Sequence, residues 1–176
     1  MLDLLPTSPD DGLYTGTDIP PAKLAAALRD YARDVTPGDV RALYDATRMG
    51  SAKDGALFLA DRLVFQNNSL QQPRTVRYDD LVGVRQTRSF LGGRAVEMDL
   101  NRARATVTET LDFSAHPGAA EYVERFLHEA MLSAAQPETL AATTDAAAVA
   151  EALAALVRAG RLTPPDLERL LGALRA

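Results

Sequence analysis

The sequence has 176 residues, is 47% hydrophobic and carries a net charge of −5, which suits one globular domain with an appendage. The absence of cysteine excludes disulfides, thiol catalysis and cysteine-ligated metal sites. Two histidines, His116 and His128, are too few for a histidine-rich metal site. The acidic balance argues against a general nucleic-acid binder. We therefore predict no nucleic-acid partner, no metal and no cofactor.

The N-terminal stretch MLDLLPTSPDDG carries acidic residues where a secretory leader needs basic ones, and its apolar run is short. No apolar stretch in the sequence approaches the roughly 20 residues that a membrane-spanning helix needs. These two observations predict a cytoplasmic protein.

Residues 1–17 are acidic, rich in turn-forming residues and without periodicity, and they predict a loose or docked arm. A helix is predicted to follow, with Pro20 or Pro21 at its first position, where a missing N–H costs nothing. The stretch TPGD at 36–39 is predicted to end this helix. The predicted apolar face consists of Leu24, Leu28 and Tyr31.

The middle of the chain predicts strands. Short apolar runs flanked by turn residues occur in VRALYDA, GALFLAD and RLVFQNN, and the pair Gly92–Gly93 is typical of a hairpin. AVEMDLN and RATVTETLDF alternate between apolar and polar residues, as strands with one buried face do. Several short strands at regular spacing predict an antiparallel barrel or sandwich. The predicted buried positions are Val96, Met98, Leu100, Val107, Leu111 and Phe113.

A helical period returns in HPGAAEYVERFLHEAML, where His116 is a candidate cap and Pro117 a candidate first residue. Strands followed by one amphipathic helix predict an α+β fold in which this helix closes the open end of a bent sheet. The predicted apolar stripe consists of Tyr122, Val123, Phe126, Leu127 and Ala130.

The C-terminal segment predicts a helical hairpin. Gly160 suits the end of its first helix, and Thr163 with Pro164 suits the start of its second. Two short helices bury too little surface alone, so we expect them to dock on the domain or on another copy. The leucines that we assign to oligomerisation are Leu153, Leu156, Leu167, Leu170, Leu171 and Leu174.

The stretch MGSAKDG at 49–55 has the composition of a phosphate-binding loop but not its order. Lys53 precedes the second glycine, and the following element reads as a strand rather than a helix N-terminus. The stretch therefore predicts a turn between two strands, with Gly50 and Gly55 supplying the turn geometry. Lys53 stays a candidate contact to an anionic group or to a partner's carboxylate.

Seven arginines lie between positions 74 and 104 against four acidic residues, a local charge of +3. This pattern favours a solvated sheet face on which charges are paired. The subset around RSFLGGR is also a candidate partner- or anion-binding site, because apolar residues beside arginine are typical of interaction hot spots. Together with Lys53, the candidate residues are Arg85, Arg88, Phe90, Leu91 and Arg94.

Two segments of the sequence match family patterns. A run of the form G-x-L-x-L-T-x-x-x-L, followed by I-x-Y-x-D-I, is matched by Gly55, Leu57, Leu59, Asp61 and Leu63 and then by Val76, Tyr78, Asp80, Leu81 and Val84. This part resembles a bacterial PH-like domain, with Ala60 where threonine is common. The tail pattern is matched by Leu153, Leu156, Gly160, Leu162, Thr163, Asp166, Leu167, Leu170 and Leu171. This part resembles a SHOCT module.

The first resemblance implies a bent antiparallel sheet or barrel of about seven strands capped by a C-terminal helix, and the second implies oligomerisation through the tail. Neither implies phosphoinositide binding, because the loop that would bind it is nearly neutral. The segments are then an N-terminal arm and helix (1–37), a PH-like domain (38–133), a linker (134–146) and a SHOCT-like hairpin (147–176).

We expect a protein-interaction or scaffold module that is not an enzyme and has no catalytic residues. Its PH-like domain would recognise a protein partner, and its hairpin would form a homo-oligomer. Two alternatives stay open. One is the binding of an anionic lipid or small anion through the arginine-rich hairpin, although the lack of tryptophan and lysine there disfavours membrane contact. The other is an enzyme of unrecognised type.

Overall fold

The computed structural model describes residues 4–88, 93–102 and 105–135, all within one compact unit of the chain. These residues form eight strands in two antiparallel sheets together with two α-helices, an α+β fold. The predicted helical hairpin at 147–176 lies outside the described residues.

The larger sheet has five strands in sequence order, and each is antiparallel to its neighbours. Every residue of the second and third strands is buried, because apolar layers cover both faces of this sheet. This explains why their sequences are apolar without alternation, apart from Asp45 at the end of the second strand. The strands are β1 (Leu13–Thr15), β2 (Ala42–Asp45), β3 (Gly55–Phe58), β4 (Arg62–Gln66) and β5 (Arg74–Arg77).

The N-terminal arm is docked and contributes β1, for which the sequence gives no signal. β1 pairs with β2, and Leu5 and Leu13 are buried in the main core. A three-residue strand has no periodicity of its own, so only its pairing with β2 identifies it.

The smaller sheet consists of β6 (Leu81–Arg88), β7 (Arg94–Arg102) and β8 (Ala105–Asp112). The predicted alternation in β7 is confirmed, since Val96, Met98 and Leu100 are buried in the core. The prediction that Val107 is buried is wrong, because its side chain is 41% exposed. Val107 lies in the first half of β8, which forms an edge of the sheet, where the residues are largely exposed.

Helix α1 (Pro21–Asp30) packs on one face of the five-stranded sheet through the predicted Leu24, Leu28 and Tyr31. Pro21 is its first residue, as predicted. The predicted end at 36–39 is wrong, because the helix ends at Asp30. The chain leaves the helix there because Tyr31 and the residue after it turn down into the apolar layer between helix and sheet.

Helix α2 (Ala119–Ala135) packs on the three-stranded sheet and buries the predicted stripe except for Tyr122, which is half-buried. The ring of Phe126 meets the rings of Phe58 and Tyr78 edge-to-face, at centroid distances of 5.5 and 5.7 Å. Buried residues of both sheets and of this helix belong to one apolar core. The side chain of His116 does not cap the helix, because its Nδ1 lies 3.1 Å from the carbonyl oxygen of Asp10 in the arm.

Candidate functional site

The β6–β7 hairpin carries the three arginines that the sequence singles out. Arg88 and Arg94 lie directly opposite each other where the two strands end, and Arg85 lies opposite Glu97. All three arginines are exposed. The predicted apolar tip residues, Phe90 and Leu91, belong to the connection between the strands and lie outside the described residues.

Arg85 is neutralised by its neighbours. Its guanidinium is within 2.6 Å of the carboxylate of Glu97 and 2.5 Å of that of Asp99. Hydrogen bonds to Asp99 and Glu97 raise the pKa of Arg85, and the Thr108 hydroxyl with Arg85 lowers the pKa of Asp99. Arg85 therefore belongs to a paired, solvated sheet face.

Most of the other described arginines in this region are also paired. The ion pairs Arg74–Glu109, Arg77–Asp79 and Arg102–Asp80 have N–O distances of 3.4, 2.8 and 2.6 Å. These pairs are well exposed at the arginine, and such pairs contribute little to stability. They show that the excess positive charge of this segment is largely balanced in place.

Arg88 and Arg94 differ from these arginines. Within the part of the chain that the structure describes, neither guanidinium has a carboxylate within 4 Å. Among the described residues, the Arg94 guanidinium donates one hydrogen bond, to the side-chain oxygen of Gln86 at 3.2 Å. Arg88 borders an open polar cleft of about 430 Å³ that the acidic side chains of Glu97 and Asp112 also line. The two guanidinium groups at the hairpin end therefore have no direct ion-pair partner in the described part of the chain.

Lys53 lies apart from these arginines, on the β2–β3 loop of the larger sheet. The loop is a hairpin turn, as predicted, and Gly50 and Gly55 have φ angles of +69° and +143°. A Cβ on Gly55 would lie 2.0 Å from the carbonyl oxygen of Tyr44, so only glycine fits there. Lys53 is exposed on this loop.

A buried carboxylate organises the same loop. Asp45 is 1% exposed, and its Oδ1 accepts hydrogen bonds from the backbone N–H groups of Thr47 and Ala52 and from the Thr47 hydroxyl. Its Oδ2 accepts from Lys23, which reaches across from α1 and also donates to the carbonyl of Gly50. The β2–β3 loop is therefore held by the buried carboxylate of Asp45 and by the side-chain amine of Lys23.

The electrostatics of this cluster follow from burial and pairing. Burial alone would raise the pKa of Asp45, but the hydrogen bonds from Lys23 and Thr47 outweigh it, so this pKa lies below its ordinary value. Burial raises the pKa of Tyr31, and Asp45 and Asp54 raise it further. The Lys23–Asp45 pair is absent from the sequence-based candidates, because nothing in the sequence connects residues 22 positions apart.

Residues 4–88, 93–102 and 105–135 contain no group of three or more histidine and acidic side chains placed to hold a metal ion. Neither described helix is long and apolar enough to cross a membrane. Comparison with known proteins gives no match to a family model, to a curated protein or to a solved structure.

Proposed function

We propose that this protein is a non-enzymatic, cytoplasmic protein-interaction module that binds its partner at the end of the β6–β7 hairpin. The observation that carries this proposal is the contrast between Arg88 and Arg94 and their ion-paired neighbours. Guanidinium groups bind carboxylates in a planar, bidentate geometry. The partner surface is therefore expected to be acidic, with an apolar contact to the predicted tip residues Phe90 and Leu91.

A PH-like architecture is the second part of the proposal. The strands from β2 to β8 number seven and are followed by α2, the order that the resemblance implies. Leu57, Leu63, Val76 and Tyr78, which match the family pattern, are all buried. β1 and α1 are then additions, one at the sheet edge and one on its outer face.

The third part is self-association through the SHOCT-like hairpin, which rests on the leucine pattern of 147–176. Light scattering on size-exclusion fractions tests it with the full chain and a chain that ends at Ala135. We expect a defined oligomer for the first and, at low protein concentration, a monomer for the second. Monomers in both cases would contradict this part of the proposal.

Charge reversal tests the hairpin end. The variant Arg88→Glu/Arg94→Glu is compared with Arg77→Glu, whose exposed arginine is ion-paired on β5. Each immobilised variant is exposed to a lysate of the source organism. We expect a protein that is retained by the wild type and by the control to be lost with the double variant. Retention of the same proteins by all three would contradict the assignment of the site.

Flotation with vesicles tests the rival function, the binding of anionic lipid. Vesicles of phosphatidylcholine with and without phosphatidylserine are mixed with the wild type and the double variant at low and high salt. The proposal predicts no flotation under any condition. Flotation that requires phosphatidylserine, weakens with salt and is lost in the double variant would favour the lipid-binding alternative.

A further inference from the structure

The two sheets have four edge strands, and three of them are protected against pairing with another chain. β1 has three residues, and β5 has four and follows Pro73. β6 has an irregular register between Leu81 and Gly83, and Glu124 of α2 accepts the N–H of Gln86. Short length, proline, bulges and covering groups are the usual protections of an edge.

Within the part of the chain that the structure describes, β8 has none of these protections along its first half. It has eight residues, contains no proline and keeps an unbroken register with β7. Its sequence, ATVTETLD, is rich in β-branched residues, which favour strands. From Ala105 to Thr108 every residue is exposed.

The hydrogen bonds show which backbone groups of β8 point outward. The N–H of Phe113 donates to the carbonyl oxygen of Arg94 at the start of β7. The backbone N–H and C=O groups of the odd-numbered residues of β8 therefore point towards β7. Those of the even-numbered residues point outward, away from β7. Accordingly, the N–H of Asp112 donates to Oδ1 of Asn67 at 2.9 Å, and the carbonyl of Thr110 accepts from Nδ2 of Asn67 at 2.7 Å.

The side chain of Asn67 thus satisfies the outer edge at its C-terminal end as an added peptide group would. One amide donates to a backbone carbonyl and accepts from the N–H two residues further on, which is a strand-like pairing. Within the described residues, the outward groups of Thr106 and Thr108 have no such partner. The free part of the edge is therefore centred on Val107.

We propose that this free edge pairs with the same edge of a second copy of the chain, antiparallel about a two-fold axis at Val107. Thr106 of each copy then lies opposite Thr108 of the other, and these pairs exchange four backbone hydrogen bonds. The partly exposed Val107 of each copy faces its counterpart, and Glu109 faces Ala105, so no like charges are opposed. The two three-stranded sheets become one sheet of six strands.

Self-pairing is favoured over the addition of a foreign peptide by this symmetry. A two-fold axis at Val107 uses both free threonines and leaves the bonds of Asn67 intact. Axes at Thr108 or Glu109 require the carbonyl of Thr110, which is already bonded, or oppose two Glu109 side chains. The pairing is short compared with a stable interface of roughly 1,200–2,000 Å². The dimer is therefore weak and depends on protein concentration.

Cross-linking through an introduced cysteine tests this register, because the chain has no cysteine of its own. In the proposed dimer the two Val107 positions form a non-hydrogen-bonded pair, with Cα atoms about 4.5 Å apart, within the range that a disulfide spans. Full-length Val107→Cys is oxidised with diamide, and covalent dimer is followed on non-reducing gels. Val82→Cys is the control, because Val82 is an exposed valine, 55% accessible, on the edge strand β6.

We expect Val107→Cys to form covalent dimer at least about tenfold faster than Val82→Cys. Association through the tail would raise the two cross-linking rates alike. The ratio of the rates therefore tests the β8 edge whether or not the tail associates. Adding Thr108→Pro to Val107→Cys removes an outward N–H and leaves the β7 pairing in place, and should reduce the rate to that of the control. Adding Thr108→Val keeps the N–H and should not. Equal rates for Val107→Cys and Val82→Cys would overturn the proposal.

Discussion

The ion pairs of the two sheets differ in how far they are exposed to solvent. The five-stranded sheet is covered on both faces, and its buried carboxylate, Asp45, is paired with Lys23 at side-chain exposures of 2% and 18%. The three-stranded sheet has one face on the core and one that carries exposed charge. There Arg85 and Asp99 are paired at exposures of 52% and 22%. An ion pair of similar geometry therefore has a different energetic role in each sheet.

The energetic difference between the two ion pairs follows from their exposure to water. Removing one partner of a buried pair leaves a charge with neither water nor a counter-ion, which is strongly destabilising. Removing one partner of an exposed pair leaves a charge that water solvates. The larger sheet should therefore be sensitive to substitution on both faces, whereas the outer face of the smaller sheet should tolerate change and be free to serve binding.

The largest expected effect concerns the core between the sheets. Phe58→Ala should lower the free energy of unfolding by about 3–5 kcal/mol, because the fully buried ring contacts Phe126 and leaves a cavity. Val107→Ala on the smaller sheet should cost under about 0.5 kcal/mol, as exposed substitutions do. Urea denaturation of both variants measures the difference. Similar losses in the two variants would show that the burial contrast is wrong.

The next effect concerns the buried ion pair. Asp45→Asn should cost about 3 kcal/mol, because it leaves Lys23 without its counter-ion and weakens the bonds that hold the β2–β3 loop. Asp99→Asn is the matched variant on the exposed sheet face and should leave the urea midpoint within experimental error. A midpoint shift as large as that of Asp45→Asn would contradict the argument from solvent exposure.

Acid should remove part of the contribution of Asp45. Its pKa is lower in the folded protein than in the unfolded chain, so the carboxylate stabilises the fold at pH values above the ordinary aspartate pKa of about 3.9. This contribution is lost as the pH falls through the folded pKa. The stability difference between wild type and Asp45→Asn should therefore narrow below about pH 4. A stability difference between the two proteins that stays constant down to pH 2 would contradict the contribution of the ionised Asp45 carboxylate.

Regular periodicity made part of the fold predictable. The alternation in β7 and the helical stripe of α2 identified core residues correctly, because each element buries one face against a single partner layer. The buried runs of β2 and β3 also read as strands. Periodicity failed at the edge, where Val107 continues the alternation of β8 without a layer to cover it.

The remaining features depend on contacts between distant parts of the chain. β1 exists because it pairs with β2, and α1 ends early because Tyr31 turns into the apolar layer beneath it. The Lys23–Asp45 pair joins a helix to a strand. The candidate arginines were found from composition, but only the register of β6 with β7 separates the opposed pair, Arg88 and Arg94, from the neutralised Arg85.

Among the buried positions, the smallest effect should arise at Ala52, which has a φ of +52° in the β2–β3 loop and is fully buried. Glycine would relieve about 1–2 kcal/mol of left-handed strain. It would also lose a buried methyl group, worth about 0.8 kcal/mol, and would add about 0.5–1 kcal/mol of chain entropy to the unfolded state. Because these effects oppose each other, Ala52→Gly should change stability by less than about 1 kcal/mol.

Ala56→Gly isolates the strain at Ala52. Ala56 is equally buried but lies in β3, where the φ angle is not positive, so its replacement has the two losses without the relief. We expect Ala56→Gly to be the more destabilising of the two by about 1 kcal/mol in urea denaturation. Equal losses would mean that the loop around Asp45 imposes no strain on Ala52. The rigidity of the loop would then come from the Lys23–Asp45 pair and its hydrogen bonds rather than from the backbone.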